Sequence, residues 1–149
     1  MLINIDPLLN PDLLSILRSM GHGDYITLCD ANFPATTLGK RLVRIDGADI
    51  KRATKAILSV FPLDSFIEYP VTRMEIDGKP YAINDAHKEF IETVKNTAGS
   101  NWKIGSIERS EFYQKAKESF AIIVTADQRP YCCFMMTKGV VKPDGNVWI

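Results

Sequence analysis

A histidine between two glycines is the first residue in this sequence whose type and setting suggest chemistry. The segment is Gly21-His22-Gly23, and it follows a predicted helix. Glycine has no side chain, so the backbone can bend there and present the imidazole to a pocket. An imidazole with a pKa of about 6.5 can give or accept a proton near neutral pH. His22 is therefore a candidate acid or base, the alternative being a loop histidine that only bonds a carbonyl. His87, the other histidine, is predicted to lie on a helix surface without a functional role.

Further candidates are polar residues that lie next to predicted strands or helix ends. In α/β sheets, ligands bind beyond the carboxyl ends of the strands, so polar side chains at those points are within reach of a ligand. Such groups can hold hydroxyls or move protons. They are Asp30 at the end of the first strand, Asp64 after a helix end, Arg109 and Tyr113 around a strand-to-helix turn, and Tyr131 at the start of the last strand.

The composition argues against several classes of function. Lys+Arg and Asp+Glu number 18 each, and the balanced charge leaves no basic stripe for nucleic acid. No apolar run approaches the ~18 residues of a membrane span, and the first residues lack the basic start of a secretory signal. We therefore expect a cytoplasmic protein. Two widely separated histidines without CxxC spacing do not support a metal site. The pattern Gly21-x-Gly23 continues with Ile26, not with the third glycine of a dinucleotide fingerprint.

The elements that must position these residues alternate between helix and strand. This alternation predicts an α/β layered domain with a largely parallel sheet, and 149 residues predict one domain over 1–149. Ser110 is the predicted cap of the last helix, and the three cysteines are expected to be reduced. Residues from 139 onward are a predicted tail whose apolar end, 147–149, packs on its own domain or on a neighbouring subunit. The predicted strands are 25–30, 42–45, 71–76, 102–107, 120–125 and 131–137, and the predicted helices are 11–20, 49–61, 84–96 and 110–119.

Several short segments occur in an order that is specific as a set, although no single one is specific alone. They are Asp6–Leu14, Met20–Asp24, Asp30–Ala35, Arg44–Gly47, Pro62–Phe66, Ile107–Tyr113, Tyr131 and Lys138–Val140. In this combination, from about residue 5 to residue 141, the chain resembles the L-fucose mutarotase/ribose pyranase family. The segments Asn32–Ala35 and Glu108–Tyr113 resemble its fucose branch more closely.

The resemblance implies a three-layer α/β sandwich, a ring-shaped homo-oligomer that is often a decamer, and a reaction without a cofactor. That reaction interconverts the α and β anomers of a monosaccharide by opening and reclosing its ring. A base takes the proton of the C1 hydroxyl while an acid protonates the ring oxygen. His22 would be the proton donor, and Tyr131 could make the second transfer through its hydroxyl or main chain. Asp30 would hold a hydroxyl or orient the imidazole.

The resemblance also implies the remaining site residues. Arg109 would bind sugar hydroxyls with its forked guanidinium, and Asp64 and Tyr113 match positions implicated in the vertebrate fucose branch. Where the family usually reads Tyr-Gly-Asn, this chain reads Tyr131-Cys132-Cys133. A thiol is a weaker hydrogen-bonding group than a carboxamide, so Cys133 leaves the identity of the sugar open.

Four functions remain open at this point. We favour a mutarotase for L-fucose or a close relative. The runner-up is a D-ribose pyranase, although the stretch 102–109 lacks the histidine that the ribose branch generally carries there. A monosaccharide-binding module without catalysis would keep a pocket but could tolerate the loss of His22 or Tyr131. A purely structural subunit would depend on its apolar tail for assembly.

Overall fold

The computed structural model describes all residues, Met1–Ile149, as five helices and six strands in alternation. The helices are α1 Pro11–Ser19, α2 Ala35–Leu38, α3 Ile50–Leu58, α4 Asp85–Ala98 and α5 Arg109–Glu118. The strands are β1 Tyr25–Cys29, β2 Leu42–Ile45, β3 Val71–Met74, β4 Ile104–Ile107, β5 Ala121–Thr125 and β6 Phe134–Thr137. None of the helices has the length and hydrophobicity that crossing a membrane requires.

All six strands form one sheet in the order β2-β5-β1-β6-β3-β4. Neighbours are parallel except at β6, which runs antiparallel to both β1 and β3. The connection from β5 to β6 contains no helix, and so short a connection returns the chain in the opposite direction. The start of β6 therefore lies at the same edge of the sheet as the carboxyl ends of β1, β3 and β4. The prediction of a largely parallel sheet is confirmed.

Helices cover both faces of the sheet, which gives the three layers that the resemblance implied. On one face, α1, α3 and α4 bury the larger apolar core, in which Leu13, Ile57 and Phe90 are fully enclosed. On the other face, α2 and α5 bury a smaller core around Phe112. Each core removes apolar area from water on one side of the strands, which is why β5 is buried throughout and apolar up to its last residue, Thr125.

Local signals in the sequence explain most of the element boundaries. Asn10 caps α1, with its side chain accepting from the Leu13 amide at 2.9 Å and Pro11 at the first helical position. Asp49 caps α3 in the same way through the Arg52 amide. The predicted cap Ser110 is wrong, because Glu108 accepts from the amides of the next turn and α5 begins one residue earlier.

Several further boundaries differ from the prediction by about one to three residues, and α3 ends at Leu58 and not at Phe61. The last strand begins at Phe134 and not at Tyr131, because Tyr131 has a φ of 56°, which a strand residue does not adopt. The short helix α2 follows Pro34 and was not predicted. Beyond Gly139 the chain is not a free tail, since Val141 and Val147 pair across a turn. The three cysteines are buried and unpaired.

Candidate active site

His22 is held by a buried carboxylate at the amino end of β1. Its Nε2 lies 3.1 Å from Oδ1 of Asp64, and the His22 side chain is 47% exposed while that of Asp64 is 3% exposed. The Asp64 carboxylate also accepts from the Phe66 amide at 3.0 Å, which fixes its orientation. A carboxylate only accepts hydrogen bonds, so it favours the tautomer with the proton on Nε2. Nδ1 is then free to exchange a proton with a ligand.

The loop that carries His22 is fixed by Lys138 at the end of β6. The Gly23 amide donates to the Lys138 carbonyl at 2.9 Å, and the Lys138 amide donates to Asp24 at 2.8 Å. The Lys138 ammonium donates to the last carbonyls of α1, those of Leu17 and Met20, at 2.7 Å each. Burial lowers the pKa of this ammonium. Gly23 has a φ of +86°, a backbone conformation that glycine adopts more readily than residues with a side chain.

The segment that carries Asp64 packs closely against the same strand end. The Asp64 amide donates to the Thr137 carbonyl at 3.1 Å, and Leu63 pairs with Lys138. A side chain on Gly139 would collide with the Leu63 carbonyl and come within 2.8 Å of the Asp64 Cα. Glycine at this position is therefore a condition for the contact between His22 and Asp64.

Aromatic rings extend from His22 to the end of the chain. The Phe66 ring lies 5.2 Å from the imidazole and 6.2 Å from the Trp148 ring. The Ser65 hydroxyl donates to the Trp148 carbonyl at 2.6 Å, which ties down the last residues. The apolar end of the chain was expected to pack on its own domain or on a neighbouring subunit. Trp148 contacts its own domain, although Ile149 remains 84% exposed.

A second group of predicted residues lines a cavity of about 280 Å³ at the opposite edge of the sheet. These residues follow the carboxyl ends of β1 and β4 or precede β6, which all meet at that edge. The lining consists of Asp30, Asn32, Phe33, Met74, Arg109, Tyr113, Pro130, Tyr131 and Cys133.

Asp30 and Cys133 form the floor of this cavity. The Cys133 thiol donates to Oδ2 of Asp30 at 3.2 Å, and the Asn32 amide donates to Oδ1 at 2.9 Å. Burial raises the pKa of Asp30, partly offset by these hydrogen bonds. Cys133 is enclosed, and burial also raises the pKa of its thiol. The thiol is therefore a hydrogen-bonding group and not a nucleophile.

Helix α5 presents two side chains to the cavity. Arg109 is its first residue and Tyr113 follows one turn later, so both lie on one helix face. Tyr113 packs edge-on against Phe33, with ring centroids 5.3 Å apart. The guanidinium thus lies beside an aromatic wall, an arrangement that suits a ligand with both polar and apolar faces.

Tyr131 is fixed at its side chain as well as at its backbone. Its hydroxyl donates to Oδ1 of Asp77 at 2.6 Å, and this bond raises the pKa of the phenol. Its carbonyl lies 2.9 Å from Nε2 of His87. His87 is completely buried, so its predicted position on a helix surface is wrong. The spacing of His87, Phe90 and Val94 on the buried face of α4 was the signal in the sequence that could have placed it.

The two groups of residues do not meet within one chain. His22 and Asp64 lie at the amino end of β1 and Asp30 lies just beyond its carboxyl end, and the five residues of the strand between them span roughly 17 Å at about 3.3 Å per residue. Asp30 was predicted either to hold a sugar hydroxyl or to orient the imidazole of His22. The second role is wrong within one chain, because Asp30 is too far from His22. Asp64 has that position instead.

The sequence and the fold of this chain are similar to those of known proteins. The model of the RbsD / FucU transport protein family matches residues 3–141. The L-fucose mutarotase of Histophilus somni (strain 2336) is 34% identical over 140 residues, which cover 94% of this chain and 97% of the relative. The crystal structure of the protein Atu2016 is similar, with a TM-score of 0.91 and 41% identity over 95% of this chain and 97% of that one. The fucose mutarotase of Streptococcus pneumoniae in complex with L-fucose gives a TM-score of 0.87 at 32% identity, covering 95% and 100%.

Proposed function

This chain belongs to the RbsD / FucU family, and we propose that it is a mutarotase that interconverts the α and β anomers of L-fucose or a closely related monosaccharide. The observation that carries the proposal is the contact between the half-exposed imidazole of His22 and the buried Asp64. It provides one nitrogen with a fixed proton and a second nitrogen free for proton transfer.

Ring opening needs two proton transfers and no change in oxidation state. The C1 hydroxyl loses its proton as the carbonyl forms, the bond from C1 to the ring oxygen breaks, and the ring oxygen gains a proton. Rotation about the bond from C1 to C2 then exposes the other face of the aldehyde, and the ring closes by the reverse transfers. His22 exchanges protons through Nδ1 in either direction, and Asp64 stabilises the imidazolium that forms.

The cavity at the other edge supplies groups for binding the sugar. Arg109 can donate to two neighbouring hydroxyls at once. Asp30 can accept from a hydroxyl, and Tyr113 and Phe33 offer apolar surface to the methyl group of a 6-deoxy sugar. The Tyr131 hydroxyl already donates to Asp77, so a role for Tyr131 in binding is better supported than a role as proton donor.

The separation of the two groups supports a homo-oligomer as the active form. Roughly 17 Å of strand lies between them at about 3.3 Å per residue, a distance that exceeds the size of a monosaccharide. A site that contains both His22 and Arg109 therefore needs His22 from one copy and Arg109 from a neighbour. A head-to-tail contact of this kind closes into a ring, and a decamer is the ring we expect. The buried free thiols support a cytoplasmic setting, where cysteines stay reduced.

The first experiment is exchange NMR on the anomeric protons of equilibrated L-fucose and D-ribose, with and without the protein. We expect exchange cross-peaks between the α and β forms, stronger for L-fucose. In His22→Ala, exchange should fall to the uncatalysed rate, a loss of roughly 10²–10⁴-fold, while saturation transfer still reports binding.

The same experiment separates the alternatives. Stronger exchange with D-ribose would favour a pyranase. Saturation transfer without exchange in the wild-type protein would favour a binding module. Unchanged exchange in His22→Ala would remove His22 from the proton transfer. Tyr81→Ala is a suitable control, because the Tyr81 residue is 96% exposed and belongs to neither group of site residues.

A further inference from the structure

The loop that forms one wall of the sugar cavity is held from behind by the start of helix α4. Asn84 Nδ2 donates to the Pro130 carbonyl at 3.0 Å, and His87 Nε2 donates to the Tyr131 carbonyl at 2.9 Å. Pro130 and Tyr131 both line the cavity, whereas Asn84 and His87 do not. Two successive carbonyls of the wall are thus fixed by side chains from a different element.

The contact between His87 and Tyr131 uses an uncommon arrangement of a histidine. His87 is completely buried, and its ring packs edge-on against Phe134 at 5.8 Å. A carbonyl can only accept, so the proton is on Nε2, and Nδ1 is left without a partner. An apolar residue of similar shape would avoid the cost of that unpaired nitrogen. The bond to Tyr131 is the one contact that only a polar side chain provides at this position.

The wall itself has a conformation that needs support. Tyr131 has a φ of 56°, in the left-handed region that residues with a side chain rarely adopt. Its hydroxyl is bonded to Asp77, whose φ is also positive at 49°. Tyr131 is therefore fixed at two points. Its carbonyl is bound by His87 of α4, and its hydroxyl is bound by Asp77 in the turn after β3.

We propose that His87 and Asn84 are positioning residues for the sugar site, which keep the Pro130–Tyr131 backbone in the conformation that binds the substrate. The inference rests on the proposed mutarotase function. Neither side chain touches the sugar, and both act through the wall of the cavity. Loss of either bond allows Tyr131 to leave the left-handed region, which weakens sugar binding more than it slows proton transfer.

The test uses substitutions that remove one bond and keep the packing. His87→Phe keeps an aromatic ring against Phe134, and we expect the KM for L-fucose to rise about tenfold with kcat changed by less than about twofold. His87→Gln keeps a donor toward the carbonyl and should recover most of the affinity. Asn84→Asp keeps the oxygen that caps α4 through the His87 amide but replaces the donor, so it should raise the KM in the same direction.

Thr93→Val is the matched control. Thr93 is buried on the same helix, and its hydroxyl donates within α4 to the Glu89 carbonyl. This variant should lower stability without changing the KM. A wild-type KM in folded His87→Phe and in Asn84→Asp would overturn the proposal, as would an equal rise in Thr93→Val.

A second measurement does not depend on turnover. Amide hydrogen exchange in the segment 131–133 should become about tenfold faster in His87→Phe and Asn84→Asp and stay unchanged in Thr93→Val. If the wild type showed no anomer exchange, the proposed function would fail, and this measurement would still decide whether Asn84 and His87 hold the Pro130–Tyr131 backbone in place. Unchanged protection in both variants would overturn the proposal.

Discussion

At the scale of single residues, Cys133 is the position at which the resemblance leaves the identity of the sugar open. Its thiol donates to Asp30 and lines the cavity. A thiol is a weak donor and a weak acceptor, whereas the carboxamide of an asparagine both donates and accepts well. Asp30 also accepts from the Asn32 amide, but a thiol at position 133 offers the sugar a weaker hydrogen-bonding group than a carboxamide would.

We expect Cys133→Asn to lower the KM for L-fucose by about three- to tenfold, the worth of one added neutral hydrogen bond. The anomer-exchange rate as a function of sugar concentration provides the measurement. Cys133→Ser is the control, because a serine hydroxyl extends less far than an asparagine carboxamide. This variant should lower the KM less than Cys133→Asn does. An unchanged KM in Cys133→Asn would place position 133 outside the contacts that hold the sugar.

At the scale of secondary-structure elements, the end of β6 joins the two parts of the proposed catalytic pair, His22 and Asp64. Gly139 allows the Leu63–Asp64 segment to approach, and Lys138 fixes the loop of His22. A Cβ at position 139 would overlap backbone atoms, which cannot move as a flexible side chain can.

Gly139→Ala should therefore lower the free energy of unfolding by about 1–3 kcal/mol and reduce anomer exchange by displacing Asp64 from His22. Gly47→Ala is the matched control, because a Cβ there meets no atom within 4 Å. Denaturant unfolding and exchange NMR on both variants test the point. Full activity in Gly139→Ala would mean that Asp64 need not touch the imidazole.

The connection from β5 to β6 contains a carboxylate whose titration affects stability. Asp127 accepts from the Ile50 amide and from the Arg129 guanidinium, and these hydrogen bonds outweigh its burial and lower its pKa to about 2. A pKa below the unfolded value of 3.8 means that the stabilisation is complete above pH 4 and is lost as the pH falls toward 2.

We expect Asp127→Asn to reduce the free energy of unfolding by roughly 1–3 kcal/mol at pH 7. The difference from the wild type should shrink between pH 4 and pH 2, where the wild-type carboxylate becomes protonated. Denaturant unfolding of both proteins across this range is the measurement. A difference that stayed constant with pH would show that the charge of Asp127 contributes nothing.

At the scale of the whole molecule, the arrangement of the two groups predicts complementation between inactive variants. His22→Ala lacks the proposed proton-transfer group and Arg109→Ala lacks the proposed sugar-binding group, but each variant keeps the group that the other has lost. If the site forms between copies, a randomly mixed assembly in equal amounts should regain about a quarter of the wild-type sites.

Co-expression of the two variants, followed by exchange NMR, measures this recovery. His22→Ala mixed with Asp64→Asn is the control, because these two residues touch within one chain and mixing cannot rebuild the pair. Recovery in neither mixture, with intact assemblies, would mean that the active site lies within a single copy.

Local interactions determined much of this fold, which is why the sequence predicted it. The caps at Asn10 and Asp49, the alternation of helices and strands, and the buried run of β5 depend on neighbouring residues and on hydrophobic periodicity. Asp30 and Arg109 each follow a predicted strand in the sequence, and the sequence therefore predicted that both lie at the carboxyl ends of strands.

Tertiary structure decided what depends on residues far apart in the chain. The direction of β6, the pairing of His22 with Asp64 and the bond from His87 to Tyr131 join residues separated by about 40 positions or more. No local preference specifies such contacts, because they arise only when the sheet brings distant segments together and burial makes an unpaired polar group costly. For the same reason, the sequence identified the candidate residues, and only the fold separated them into two groups at opposite ends of one strand.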